Sequence, residues 1–185
     1  MIDLRKLSLA YKLTPQQEDN IRGILNECEK QSVTDKRHIA YILATVKHEC
    51  ANTWHPIKEY GGTAYFIKRY WLNSRVAKWL GNDSAEDAAK YAGRGYVMIT
   101  GEDNYARFTK ITGVDLINFP DKAMDTNISA VIIVYGMKWG AFTGRKLSDY
   151  FNSNNKDSIN ARRVINSLDK AQLIAKYYTD ILEMI

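Results

Sequence analysis

Cysteine, histidine and proline are scarce in this sequence, and it contains no long apolar run. With two cysteines, Cys28 and Cys50, both in stretches that read as helical, a disulfide framework is excluded and free thiols in a reducing compartment are expected. With three histidines in the chain, the helical two-His zinc pattern fails, because Asn52 stands four residues after His48. No metal and no cofactor are expected. The longest apolar run, ISAVIIVYGM at 128–137, is about half of the roughly 20 residues that a membrane span needs, so it reads as a core helix and no stable membrane insertion is expected. Residues 1–14 carry Asp3, Arg5, Lys6 and Lys12 and so lack the unbroken apolar core of a secretory signal. The expectation is a protein that accumulates in the cytoplasm of the producing cell and acts outside it only after release.

What is present is 185 residues, enough for one core, with a net charge of +5 and a pI near 9.1. The basic residues are scattered or at most paired, as in Lys68 with Arg69 and Arg162 with Arg163, unlike the dense runs of binding tails. No nucleic-acid partner is expected, although a positive surface attracts anionic polymers in general.

Helical periodicity dominates. Thr14, Pro15 and Gln17 form a capping box with proline at the first helical position, so a helix over 15–30 is predicted, with Ile21, Ile24, Leu25 and Cys28 on one face. Thr34 is the predicted cap of a second helix ending near Ala51, with Ile39, Ile42, Leu43, Val46 and Cys50 inward. Pro56, Gly61 and Gly62 break the period. Short helices with a break at Gly81 to Ser84 are expected over 63–91, where Tyr65, Phe66, Tyr70 and Trp71 cluster. A strand over Tyr96 to Thr100 precedes a helix from Asn104 to Ile111 that Gly113 ends. A buried helix over 125–141, a short helix capped by Ser148 and a terminal helix inward at Ile174, Tyr178, Ile181 and Ile185 complete the reading. One catalytic domain over 1–185, with a small helical lobe about 63–91, is the expected organisation.

Two acids stand out. On a helical wheel Glu49 falls at the flank of the apolar stripe, at the helix end, where lost hydration and the negative pole of the helix both favour the protonated acid. Glu59 lies among polar and glycine neighbours, where water or Lys58 can keep it ionised. Glycoside hydrolysis commonly needs such a divided pair, one acid to protonate the leaving oxygen and one base to activate water. Taken singly, each is more ordinarily a solvated surface charge. A cysteine peptidase built on His48 and Cys50 fails because residues two apart on a helix point to nearly opposite faces, while His38 or His55 stays open as a more distant partner for a thiol.

Four blocks in order, HECANTWHPIKEYG, AGRGYVMITGEDNYARF, INFPDKAMD and ARRVIN, resemble the family-19 glycoside hydrolases in their compact phage and bacterial endolysin form. The likeness covers most of residues 36–182. It implies a mainly α, lysozyme-like, two-lobed helical domain with a short β-hairpin region beside the cleft. It also implies a general acid at Glu49, a general base at Glu59, a hydroxyl at Thr100 that holds the attacking water, and sugar contacts from Asn104 and Asn166. Two positions depart from the family pattern: Met98 replaces a glutamine among the substrate contacts, and Ser167 with Leu168 replaces two glycines. Tyr60 and Tyr96 either line the cleft or pack the hinge between lobes. The cysteine-rich loops of many plant chitinases are absent, which favours peptidoglycan over chitin as the partner. The expected activity is that of a monomeric, bacteriolytic and antimicrobial endolysin cutting the β-1,4 glycan of bacterial peptidoglycan. A lytic transglycosylase or a chitinase on the same fold remains an alternative, as does a non-catalytic glycan-binding protein.

Overall fold

The computed structural model describes residues 2–185, and within them the chain divides into two compact units, one made of the segment up to His55 with Ile133–Ile185, the other of Pro56–Ile132. The first unit contains α1 (Arg5–Tyr11), α2 (Pro15–Lys30), α3 (Lys36–Glu49) and α9 (Ala171–Leu182). α2 starts where its capping box predicts: the Thr14 hydroxyl accepts from the Gln17 N–H and the Gln17 side chain accepts from the Thr14 N–H. α3 is capped one residue later than expected, by Asp35, whose carboxylate accepts from the Arg37 N–H at 2.8 Å.

The core of this unit is α3. Every residue from Ile39 to Lys47 is buried, so the helix is enclosed rather than striped. α2 turns Ile21, Ile24 and Cys28 inward, and α9 contributes Ile174, Tyr178 and Ile181, as its periodicity predicts. Tyr41 packs its ring against Phe151 and Tyr178, with centroids 5.4 and 5.8 Å apart. Burying each such aliphatic side chain stabilises the unit by roughly 1.5–3 kcal/mol. α1 escapes sequence reading because Leu7 is its one buried side chain and no side chain caps its start.

The second unit holds β1 (Ile57–Lys58), α4 (Thr63–Tyr70), α5 (Ser74–Leu80), α6 (Ala85–Lys90), β2 (Arg94–Gly95) and α7 (Glu102–Thr112). The expected short helices over 63–91 are present. Gly81, left-handed at φ 71°, ends α5, and the Ser84 hydroxyl caps α6. β1 and β2 pair antiparallel, Ile57 opposite Gly95 and Lys58 opposite Arg94. The predicted strand over Tyr96 to Thr100 is instead a tight reversal. Arg94 and Ile99 exchange backbone hydrogen bonds at 3.2 and 3.0 Å, with Met98 left-handed at φ 54° between them. The alternation there reflects the turn's packing and not a ladder. Gly113 ends α7 in the left-handed conformation, as expected.

α8 (Thr126–Trp139) begins in the second unit and ends in the first, and its Ala130, Ile132, Ile133, Val134 and Met137 are buried. Near Ser148 the chain forms a single 3-10 turn, Leu147–Asp149, which Lys146 precedes, so Ser148 lies inside the element and is not its cap.

Candidate active site

Glu49 is the last residue of α3, where the backbone leaves the helix through Cys50 and then takes left-handed conformations at Ala51, Asn52 and Trp54. Lys47, one turn back and buried, braces that exit. Its ammonium donates to Asn52 Oδ1 at 2.6 Å and lies over the rings of Tyr11 and Tyr177, 4.3 and 4.8 Å from their centroids. Burial lowers the Lys47 pKa from its ordinary value.

The Glu49 side chain is mostly enclosed, and its Oε1 lies 2.6 Å from Nη1 of Arg162, a guanidinium buried in the 3-10 turn Asn160–Val164. The contact is an ion pair rather than a directed hydrogen bond. Arg162 is itself held by its Nε, which donates to the Asp169 carbonyl at 3.1 Å. The expectation of a merely apolar flank for Glu49 is therefore corrected: a buried cation faces it. The ARRVIN block contained that signal, but Arg162 reads there as one of a surface pair.

Glu59 follows β1 and is held by groups from its own unit. Tyr70 of α4 donates its hydroxyl to both carboxylate oxygens, at 2.7 and 2.9 Å, and the Gly93 N–H donates to Oε2 at 3.1 Å. Its own N–H donates to the Gly93 carbonyl at 2.8 Å, so the acid and the glycine clasp each other twice. Every one of the side-chain partners donates, so the carboxylate serves as an acceptor. Burial first and the bond to Glu59 second push the Tyr70 hydroxyl well above its ordinary pKa, which keeps it a donor through neutral and mildly alkaline pH. Lys58, the expected partner, pairs instead with Asp121 at 3.1 Å. Arg69 approaches Glu59 loosely at 3.8 Å. Neither Tyr70 nor Gly93 carries a sequence signal for this role beyond the aromatic cluster and the GRG string.

GRG owes its form to packing. Arg94 is buried and donates to the carbonyls of Lys90 and Ala92 and to Asp121, the last at 2.6 Å. That anchor fixes the loop so that the Gly93 amide meets Glu59. A Cβ on Gly93 would lie 3.1 Å from Glu59 Oε2 and 3.2 Å from Met98 Cε, so the methionine and the acid flank the same small space.

Thr100 donates its hydroxyl to the Met98 carbonyl at 2.9 Å, and Asn104, in the first turn of α7, donates its amide to the Thr100 carbonyl at 2.8 Å. The Asn104 carbonyl oxygen accepts from Arg107 at 2.9 Å. Thr100, Asn104, Met98 and Glu59 thus belong to one unit, while Glu49 and Asn166 belong to the other. Asn166 is exposed, its side-chain oxygen accepting from the Ser167 N–H at 2.8 Å. Tyr60 is 99% exposed, so it does not pack a hinge. Tyr96 is fully buried, with its N–H on Ser129 Oγ at 2.7 Å, which corrects its assignment as a substrate contact. Its ring belongs to the core.

Among the described residues no group of three acidic, His or Cys side chains converges as metal ligands would. Burial pushes the thiols of Cys28 and Cys50 up to about 12, so both stay protonated near neutral pH and neither is a nucleophile. His38 bonds the Phe151 carbonyl and His55 bonds Asn20, at 3.0 and 2.9 Å.

The model of the class I chitinase family, glycoside hydrolase family 19, matches residues 26–145, more than half of the chain. No curated relative matches it in sequence. Similar solved structures include chitinase C from Streptomyces griseus, at 19% identity over 88% of this chain and 84% of that one, with a TM-score of 0.64. A bacterial family 19 chitinase is similar at 16% identity over 99% of this chain and 94% of that one, with a TM-score of 0.60. The mainly helical, lysozyme-like fold expected from the four sequence blocks is borne out. With its family model spanning Glu49, Glu59 and the GRG loop, the chain belongs to glycoside hydrolase family 19 and is a glycosidase.

Proposed function

We propose that this glycosidase is an endolysin-type enzyme that hydrolyses the β-1,4 glycan of bacterial peptidoglycan. In this reading Glu49 protonates the leaving oxygen, while Glu59 and Thr100 position and deprotonate water. Asn104 and Asn166 hold the sugar. The unlike partners of the two acids support a division of labour, one set against a buried guanidinium and the other clasped by a phenol and a backbone amide. The observation that carries the choice of substrate is the net charge of +5, which attracts an anionic wall and gives no advantage on neutral chitin. Met98, beside Glu59 where family members place a glutamine, is consistent with a substrate contact altered from that of chitin.

Chitin hydrolysis is the second reading, favoured by the class I chitinase description of the matching family. One experiment separates them: purified peptidoglycan and chitin oligomers are digested with the wild type, Glu49→Gln and Glu59→Gln, and the new ends are identified by mass spectrometry. New reducing ends from peptidoglycan, lost in both variants, are the expected result. Anhydro ends assign a lytic transglycosylase, cleavage of chitin alone assigns a chitinase, and no cleavage of either polymer overturns both readings.

A further inference from the structure

Residues 63–80 carry Lys68, Arg69, Arg75 and Lys78 and no acidic residue, whereas the segment that follows holds Asp83, Glu86 and Asp87. Basic charge is therefore concentrated on α4, α5 and the turn between them. Arg69 is occupied, its guanidinium donating to the hydroxyls of Tyr65 and Tyr70. Among the described residues Lys68, Arg75 and Lys78 are in no ion pair, and all three are exposed.

α5 buries Ala77 and Leu80 and turns Arg75, Lys78 and Trp79 outward, the i, i+3 and i+4 positions of a single face. Trp79 is 74% exposed, and Leu72, in the turn that leads into α5, is 71% exposed. Trp79 shares its helix face with Arg75 and Lys78, and Leu72 is exposed just before that helix, so large apolar and cationic side chains are presented together from one short segment. A glycan accounts for an exposed indole by stacking, but a leucine offers no ring face and no hydrogen bond to a sugar. A bilayer interface accommodates all of them: indole and leucine enter the headgroup boundary while Arg and Lys meet lipid phosphates.

We propose that the α5 face of Arg75, Lys78 and Trp79, with Leu72, is a docking surface for an anionic lipid bilayer. Docking is peripheral, since no helix among the described residues is long and apolar enough to cross a membrane. Leu72, Arg75, Lys78 and Trp79 make no hydrogen bond or ion pair with Glu59, which is held by Tyr70, Gly93 and Arg69, so the surface adds adhesion to the hydrolase without entering its chemistry.

The test sediments the full chain with vesicles of equal parts phosphatidylglycerol and phosphatidylcholine, and with vesicles of phosphatidylcholine alone. We expect binding to the anionic vesicles about tenfold or more tighter than to the neutral ones, weakened by salt. Arg75→Gln with Lys78→Gln should lower that binding about tenfold, and Trp79→Ser should lower it as well. Neither variant should change thermal melting or the hydrolysis of soluble glycan oligomers, because all three side chains are exposed and outside the catalytic machinery. No binding, equal binding to both vesicle types, or binding unmoved by the variants overturns the proposal. Retention on purified peptidoglycan in place of vesicles, lost in the same variants, overturns it too.

Discussion

Arg162 presents its Nη1 2.6 Å from Oε1 of Glu49 while remaining 2% exposed, so the last acid of α3 is matched by a buried cation from a turn more than a hundred residues later. Removing one member of such a pair leaves the other charged and poorly solvated. Arg162→Met should therefore lower unfolding stability by about 2 to 3 kcal/mol, at or just below the low end of the usual range of about 3–5 kcal/mol because Glu49 keeps some contact with water. Urea titration measures it. In a double-mutant cycle, Glu49→Gln combined with Arg162→Met should recover part of the loss, and strictly additive effects would refute the coupling.

Tyr70→Phe deletes the hydroxyl that bonds both oxygens of Glu59 and leaves the ring stacked on Phe66, whose centroid is 6.3 Å away. The lost charge-assisted hydrogen bond should cost about 1 to 2 kcal/mol. If Glu59 is the base, the hydrolytic rate should fall about tenfold or more with the KM little changed. Steady-state kinetics on a soluble glycan oligomer decide it, and an unchanged rate would remove Tyr70 from the proposal.

Stability should decline in alkali. The thiols of Cys28 and Cys50 sit at about 12 in the folded protein against 9.0 as the ordinary value, each because of burial. A pKa raised by folding means that the folded state holds the proton more tightly. The contribution is full below pH 9 and drains away as pH climbs from 9 towards 12. Denaturant midpoints measured from pH 7 to 11 should be flat up to about pH 8 and then fall. Replacing both cysteines with alanine should lower stability at neutral pH through lost packing but make that alkaline slope shallower. An equally steep slope in the double variant would assign the decline to other groups.

Asn52 is left-handed at φ 63° and accepts the ammonium of Lys47. Asn52→Ala keeps the strained conformation and loses the bond, so a loss of about 1 to 2 kcal/mol is expected. Asn52→Gly relieves the strain and should cost less than alanine does. Thermal melting of the two variants side by side checks the order, and alanine at least as stable as glycine would contradict it.

Much of this protein was legible residue by residue where the signal is local. Thr14, Pro15 and Gln17 determine the start of α2, because a cap is settled within one turn of chain, and Gly81 and Gly113 determine where helices end. The inward faces of α2 and α9 follow from period alone. Glu49, Glu59 and the GRG string point to a family-19 glycosidase, since they depend on residue type and order. Tertiary structure decided what meets those acids. Arg162 reaches Glu49, Tyr70 and the Gly93 amide hold Glu59, Lys58 is drawn away to Asp121, and Tyr96 sinks into the core. None of these follows from pattern, because a charge or a hydroxyl takes whichever partner the packed backbone brings within about 3 Å, and sequence spacing does not encode that distance.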